Sequence, residues 1–207
     1  MSKGLFSILL LIALFSMLFG VKWYIRTFES KVLTDEVVRP DLLLENSKLY
    51  AREHSYERSL IQLEHAIEAM REIEKEFDES SAGILEESID DLLVVYNELL
   101  EDTLVMNDMN QAYSNALNAL TLAELRVTEE LIAHDQSKDA RVALKYGMYH
   151  LKNALRFTSG HKKEYEYHIY KEIDSLLVED GFDQEEIIGR LEFMIAELDS
   201  LVHDEIK

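Results

Sequence analysis

From residue 56 onward, apolar side chains recur in alternating steps of four and three, a spacing that a helix turns into one continuous face. Tyr56, Leu60, Leu63, Ile67, Met70 and Phe77 make the first stripe, interrupted only at Glu74. Leu85, Ile89, Leu92, Tyr96, Leu99 and Thr103 make a second, and Met109, Tyr113, Ala116, Leu120, Ala123 and Val127 a third. A fourth follows at Leu144, Met148, Leu151 and Leu155. Two shorter ones close the chain, at Tyr165, Ile169, Ile173 and Leu176 and at Ile187, Leu191, Met194 or Ile195, Leu198 and Leu201. Runs such as LLVVY at 92–96 sit inside this period, so no strand is expected.

The breaks between stripes are few, because the 207 residues hold one Pro and seven Gly. Pro40 suits a helix start, where its missing N–H has no partner to lose, and Asp41 fits the cap or first turn. Ser80, Ser81 and Gly83 are the expected break after the first stripe. Met106, Asn107, Asp108 and Asn110 form a turn, or else the second and third stripes fuse into one long helix. The polar stretch AHDQSKDAR at 133–141 gives the next turn, with Ser137 or Asp139 as N-cap. Thr158, Ser159 and Gly160 end the fourth helix, and Gly181 and Asp183 separate the last two. One apolar and one charged face per helix predicts an all-α domain, packed as an antiparallel bundle or a short array of helical hairpins.

The opening of the chain differs. Residues 4–21 carry no charge and are dominated by Leu, Phe and Ile, the short end of what spans a hydrocarbon core of about 30 Å. Trp23 and Tyr24 then fall where an aromatic belt lies, and Lys22 and Arg26 can reach lipid headgroups. Cleavage as a secretory signal wants small residues one and three positions before the cut, and bulky Leu18 stands two before Gly20. Three segments are therefore expected: an N-terminal transmembrane helix at 1–28, a juxtamembrane linker at 29–40 and a helical domain at 41–207, placed on the exported side of the membrane.

Charge narrows the partners. Residues 1–28 hold Lys3, Lys22 and Arg26 and no acid, leaving 18 of the 21 basic residues against all 41 acids, a formal −23. Such a domain repels nucleic acid and anionic headgroups and favours basic proteins or cations. The absence of cysteine excludes disulfides, thiolate metal sites and thiol catalysis.

The segment LYAREHSYERSLIQLEHAIEAM, 49–70, together with Ser47 just before it, resembles a tetratricopeptide-type helix pair. Ser47 and Tyr50 match the small and aromatic positions of its first helix. Tyr56, Ser59, Leu63 and Ala66 match the aromatic, small, large and alanine positions of its second. Small residues let two helices approach while aromatics fill the groove beside them. Gly147, Leu151 and Ala154 align with Ser59, Leu63 and Ala66, too far along the chain for tandem repeats of about 34 residues. The resemblance implies a scaffold for protein partners and carries over no peptide-binding residue.

Ligand chemistry has one candidate. His161 and His168 share a helix face with Glu164 between them, and Glu130 and His134 stand one turn apart, so a divalent cation could find two or three ligands. His54, His65 and His150 read as surface or hydrogen-bonded histidines, and most tyrosines as core filler with a hydroxyl at the rim. No nucleophile elbow, phosphate-cradling loop, cofactor motif or di-iron signature occurs. The expected function is that of a non-enzymatic, membrane-anchored scaffold, an accessory subunit of a membrane-associated assembly; the alternative is a cation-binding or stress-sensing domain.

Overall fold

The computed structural model describes residues 36–178 and 183–202. Within them lie seven helices and no strand: α1 (Arg39–Arg52), α2 (Tyr56–Glu74), α3 (Glu79–Leu100), α4 (Met106–Ala133), α5 (Ser137–Ala154), α6 (Gly160–Val178) and α7 (Gln184–Val202). No helix among the described residues is long and apolar enough to cross a membrane. The expected anchor, with Lys22, Trp23, Tyr24 and Arg26, and the Gly181 turn lie outside the described residues.

Each helix packs on the next through a short connection, as in helical hairpins, but the array is closed. Helix α7 folds back onto α4, and α1 reaches α4 and α5 with its side chains, so both ends of the described chain meet the middle of it. The result is a bundle around α4. Every residue of α4 from Ala112 to Leu125 is buried, where the sequence pattern gave it one apolar stripe. A helix wrapped on all sides needs small residues for close approach, and Ala112, Ser114, Ala116, Ala119 and Ala123 supply them. Gly147 of α5 does the same from outside: a Cβ there would stand 3.4 Å from the Glu124 Cβ and 3.6 Å from the Thr121 carbonyl oxygen.

Several breaks fall elsewhere than the spacing predicts, for one physical reason. His54, Asp102 and Asp135 adopt left-handed backbone with φ of 56°, 55° and 60°. At each, the next residue donates its N–H back across the helix end: Ser55 to Tyr50, Thr103 to Glu98 and Gln136 to Leu131, at 2.9, 2.9 and 2.8 Å. These are Schellman-type C-caps, which normally take Gly. With His or Asp there, the stops carry no glycine signal. Thus α1 and α2 are separate helices. The second break lies before Met106 rather than in MNDM, whereas the third, at 134–136, lies inside the expected turn and differs only in its N-cap, which is Gln136, with Ser137 and Asp139 inside α5.

The break expected at Ser80, Ser81 and Gly83 lies one step earlier. Asp78 is the N-cap of α3, its carboxylate accepting from the Ser80 and Ser81 N–H groups at 2.8 and 3.0 Å, so those serines begin the helix. These bonds, with the Ser81 N–H first, hold the Asp78 carboxyl below its usual range.

A left-handed residue other than glycine costs about 1–2 kcal/mol, partly offset by the greater unfolded-state freedom of glycine. Asp102→Gly and Asp135→Gly should therefore each stabilise the domain by roughly 0.5–1 kcal/mol. Thermal unfolding checks this, and a fall in Tm for both variants would contradict the cap assignment.

Candidate functional site

The buried face between α1, α4 and α5 holds the densest set of ionisable groups. Asp41, in the first turn of α1, is 2% exposed rather than a surface cap residue. Its Oδ2 lies 2.7 Å from His150 Nδ1, and its Oδ1 accepts from Asn153 Nδ2 at 2.9 Å. His150 and Asn153 are three apart on α5, so one helix face presents both. Glu124 faces them from α4 at 6% exposure. His150 is fully buried, and its Nε2 has no hydrogen-bond partner.

Burial sets the electrostatics. It raises the Glu124 carboxyl from 4.5 to about 7, against the pull of His150. For His150, burial alone disfavours the imidazolium, but attraction to Asp41, the hydrogen bond to Asp41 and the Glu124 charge outweigh it, so its pKa stands above the ordinary value. The cluster thus links three helices through buried ionisable groups.

Two further polar sets brace α4. Glu166 of α6, fully buried, accepts from Ser114 Oγ at 3.0 Å and Asn118 Nδ2 at 2.8 Å on one oxygen and from Thr158 Oγ1 at 2.5 Å on the other. On the α1 side, the Tyr113 hydroxyl lies 2.7 Å from Ser47 Oγ, and its ring meets Phe157 edge-on with centroids 5.6 Å apart. Ser47 and Ser59 donate to each other's backbone carbonyls, both at 2.9 Å, where α1 and α2 cross. Leu63 and Ala66 are buried beside them. Tyr50 and Tyr56, expected in the same groove, are only half-buried: Tyr50 lies under the Arg58 guanidinium, and the Tyr56 hydroxyl meets His54 Nδ1 at 3.2 Å.

The cation candidates do not converge. His161 Nδ1 and Glu164 Oε2 stand 3.2 Å apart in full solvent and His168 is exposed, while His134 Nδ1 lies 2.8 Å from the Glu130 backbone oxygen rather than its carboxylate. Among the described residues no three His, Asp or Glu side chains are placed to hold a metal ion. Tyr149, Tyr165 and Tyr167 are exposed rather than core filler.

Outside the core, charge is concentrated. No Lys, Arg or His occurs between Lys75 and Arg126. Within this span the outward face of α3 carries Asp90, Asp91 and, at its C-cap, Glu101, while Glu98 is half-buried with its Oε2 shielded from solvent. Val94 lies at the centre of that face, 57% exposed. An apolar side chain ringed by carboxylates suits a partner with an apolar contact flanked by cations. No protein-family model, curated protein or solved structure matches the chain.

The sequence places Asp41 at a helix start and reads His150 as a surface or hydrogen-bonded histidine, but their separation of 109 residues hides that each is the other's partner. Glu124 was legible only as the one charged residue of Ala116–Leu125, a stretch that also holds Asn118 and Thr121, with no mark of its partner.

Both raised pKa values mean that the folded state binds protons more tightly than the unfolded chain. The Glu124 contribution is intact below pH 4.5 and is lost as pH rises to about 7; that of His150 is lost as pH rises through its elevated folded value. A shift of the Glu124 size is worth about 3 kcal/mol. Relative to the native chain, Glu124→Gln should gain up to that amount between pH 4.5 and 7. Urea unfolding at intervals across this range tests it, and a constant difference would refute the linkage.

Proposed function

We propose that the chain is a membrane-anchored helical scaffold, an accessory subunit that holds a basic protein partner within a membrane-associated assembly. The observation that carries this reading is the α3 face, acidic along its length with Val94 at its centre. A carboxylate field steers a cationic partner to the surface, and the apolar centre supplies the contact that excludes water once it arrives.

Two features support the rest of the reading. The uncharged residues 4–21, followed by Lys22, Trp23, Tyr24 and Arg26, have the composition of an anchor that places the domain beside a bilayer, and a long domain trailing such a segment is translocated to the exported side even though the lysine and arginine after the span favour the inside. The reciprocal Ser47–Ser59 bonds at the α1–α2 crossing agree with the tetratricopeptide-type resemblance, a pattern associated with scaffolds. The core braced by Glu166 and by the Asp41–His150 pair keeps α3 on a fixed support, so the face is preorganised for binding.

Asp90→Lys with Glu101→Lys reverses charge on this face at exposed positions. Affinity purification of the gently solubilised full-length chain from its native membranes should recover a stoichiometric protein partner that the reversed variant loses. Circular dichroism should show equal helicity and Tm for the two. Equal recovery by both variants, or no partner with the native chain, would overturn the reading.

A further inference from the structure

Helix α5 carries a cationic stripe on this acidic chain. Lys138, Lys145 and Lys152 fall seven residues apart, and Val142 and Tyr149 fall beside them, so the five make one stripe along the helix. All five are exposed, with Val142 at 46% and Tyr149 at 43%. The stripe itself carries no acid. In a chain of formal charge −20 the arrangement is the counterpart of α3, where exposed Asp90, Asp91 and Glu101 flank exposed Val94. Both stripes pair an apolar centre with charges at turn spacing, and the signs are opposite.

One molecule does not bring these stripes together as packing faces. The main packing partners of α3 are α2 and α4, and those of α5 are α4 and α6, with α4 buried between. In two molecules they can meet. We propose that the α5 stripe of one copy docks on the α3 face of a second copy, giving a head-to-tail self-association. This rests on the scaffold reading of α3 and names its partner as the chain itself. The contact is heterologous, since each copy offers a different face, so it leaves one acidic and one basic face unpaired at the ends and can propagate into a ring or filament at the membrane. Helix lies along helix, with Val94 meeting Tyr149 and Val142 and the lysines flanked by carboxylates.

The signature is charge swapping within one chain. Full-length protein in nonionic detergent, at about 50 mM salt, should show a weight-average mass in sedimentation equilibrium that rises with protein concentration and falls toward the monomer at about 500 mM. Lys145→Glu with Lys152→Glu should give monomer, as should Asp90→Lys with Glu101→Lys. The chain carrying all four substitutions should associate again, because both faces are then reversed. A native chain that is monomeric throughout, association that survives the α5 reversal, or a failure of the fourfold variant to recover while folded by circular dichroism would each overturn the proposal. So would a native chain that stays monomeric but binds phosphatidylglycerol vesicles through α5, which would make the stripe a lipid contact. A distinct protein captured through α3 by a monomeric chain would leave the scaffold reading standing and sink the self-association alone. Self-association without any other companion would support the proposal and identify the partner held by α3 as a second copy of this chain.

Discussion

The bundle depends on burying a polar helix. The middle of α4, Ala112–Leu125, is enclosed on every side, and the helix carries Ser114, Asn118, Thr121, Glu124 and Thr128 into the core along with its leucines and alanines. Each buried polar group costs on the order of 1–3 kcal/mol if left unpaired, so surrounding helices must arrive in register to answer it. Glu166 from α6 answers Ser114 and Asn118, Ser47 from α1 answers Tyr113, and His150 from α5 faces Glu124. Thr121 and Thr128 turn back to the carbonyls of Leu117 and Glu124 in their own helix. Apolar contact supplies the drive to bury α4, and these bonds select which neighbour goes where.

The same arrangement places ionisable groups at the point where the chain enters the bundle. Asp41 lies at the start of α1, immediately after the segment that leads from the N-terminus, and it is held only by α5 side chains. Glu45 and Lys48 continue the contact, Glu45 to Arg156 at 2.6 Å and Lys48 to the Arg156 carbonyl at 3.3 Å. Of these, the Asp41–His150 bond is the one excluded from water, where a charge pair is least screened. The exposed Arg156–Glu45 pair adds little by comparison.

Two exposed helix faces carry charge of a single sign. The outward face of α3 presents carboxylates and one stripe of α5 presents lysines, and both helices pack on the buried α4. A surface evolved for solubility alone needs no such separation, since interspersed signs serve that end as well. Segregated faces generate a directional field, which orients an approaching chain before contact.

The sequence by itself determined the fold class, because steps of three and four cannot be satisfied by a strand, and it determined most buried positions on α2 and α3. Leu63, Ile67, Met70, Leu85, Ile89, Leu92 and Leu99 are all in the core. It determined the acidic surface too, since charges that outnumber their partners must face water. Helix ends were less legible: His54, Asp102 and Asp135 stop helices through left-handed backbone that such residues rarely adopt, and Asp78 caps α3 ahead of serines that looked like the break. Only the tertiary structure decided that α4 is central and that Asp41, His150 and Glu124 share one buried site. Periodicity reports one face of one helix against solvent. It carries no record of which distant helix covers that face, or of which buried polar groups find each other when it does.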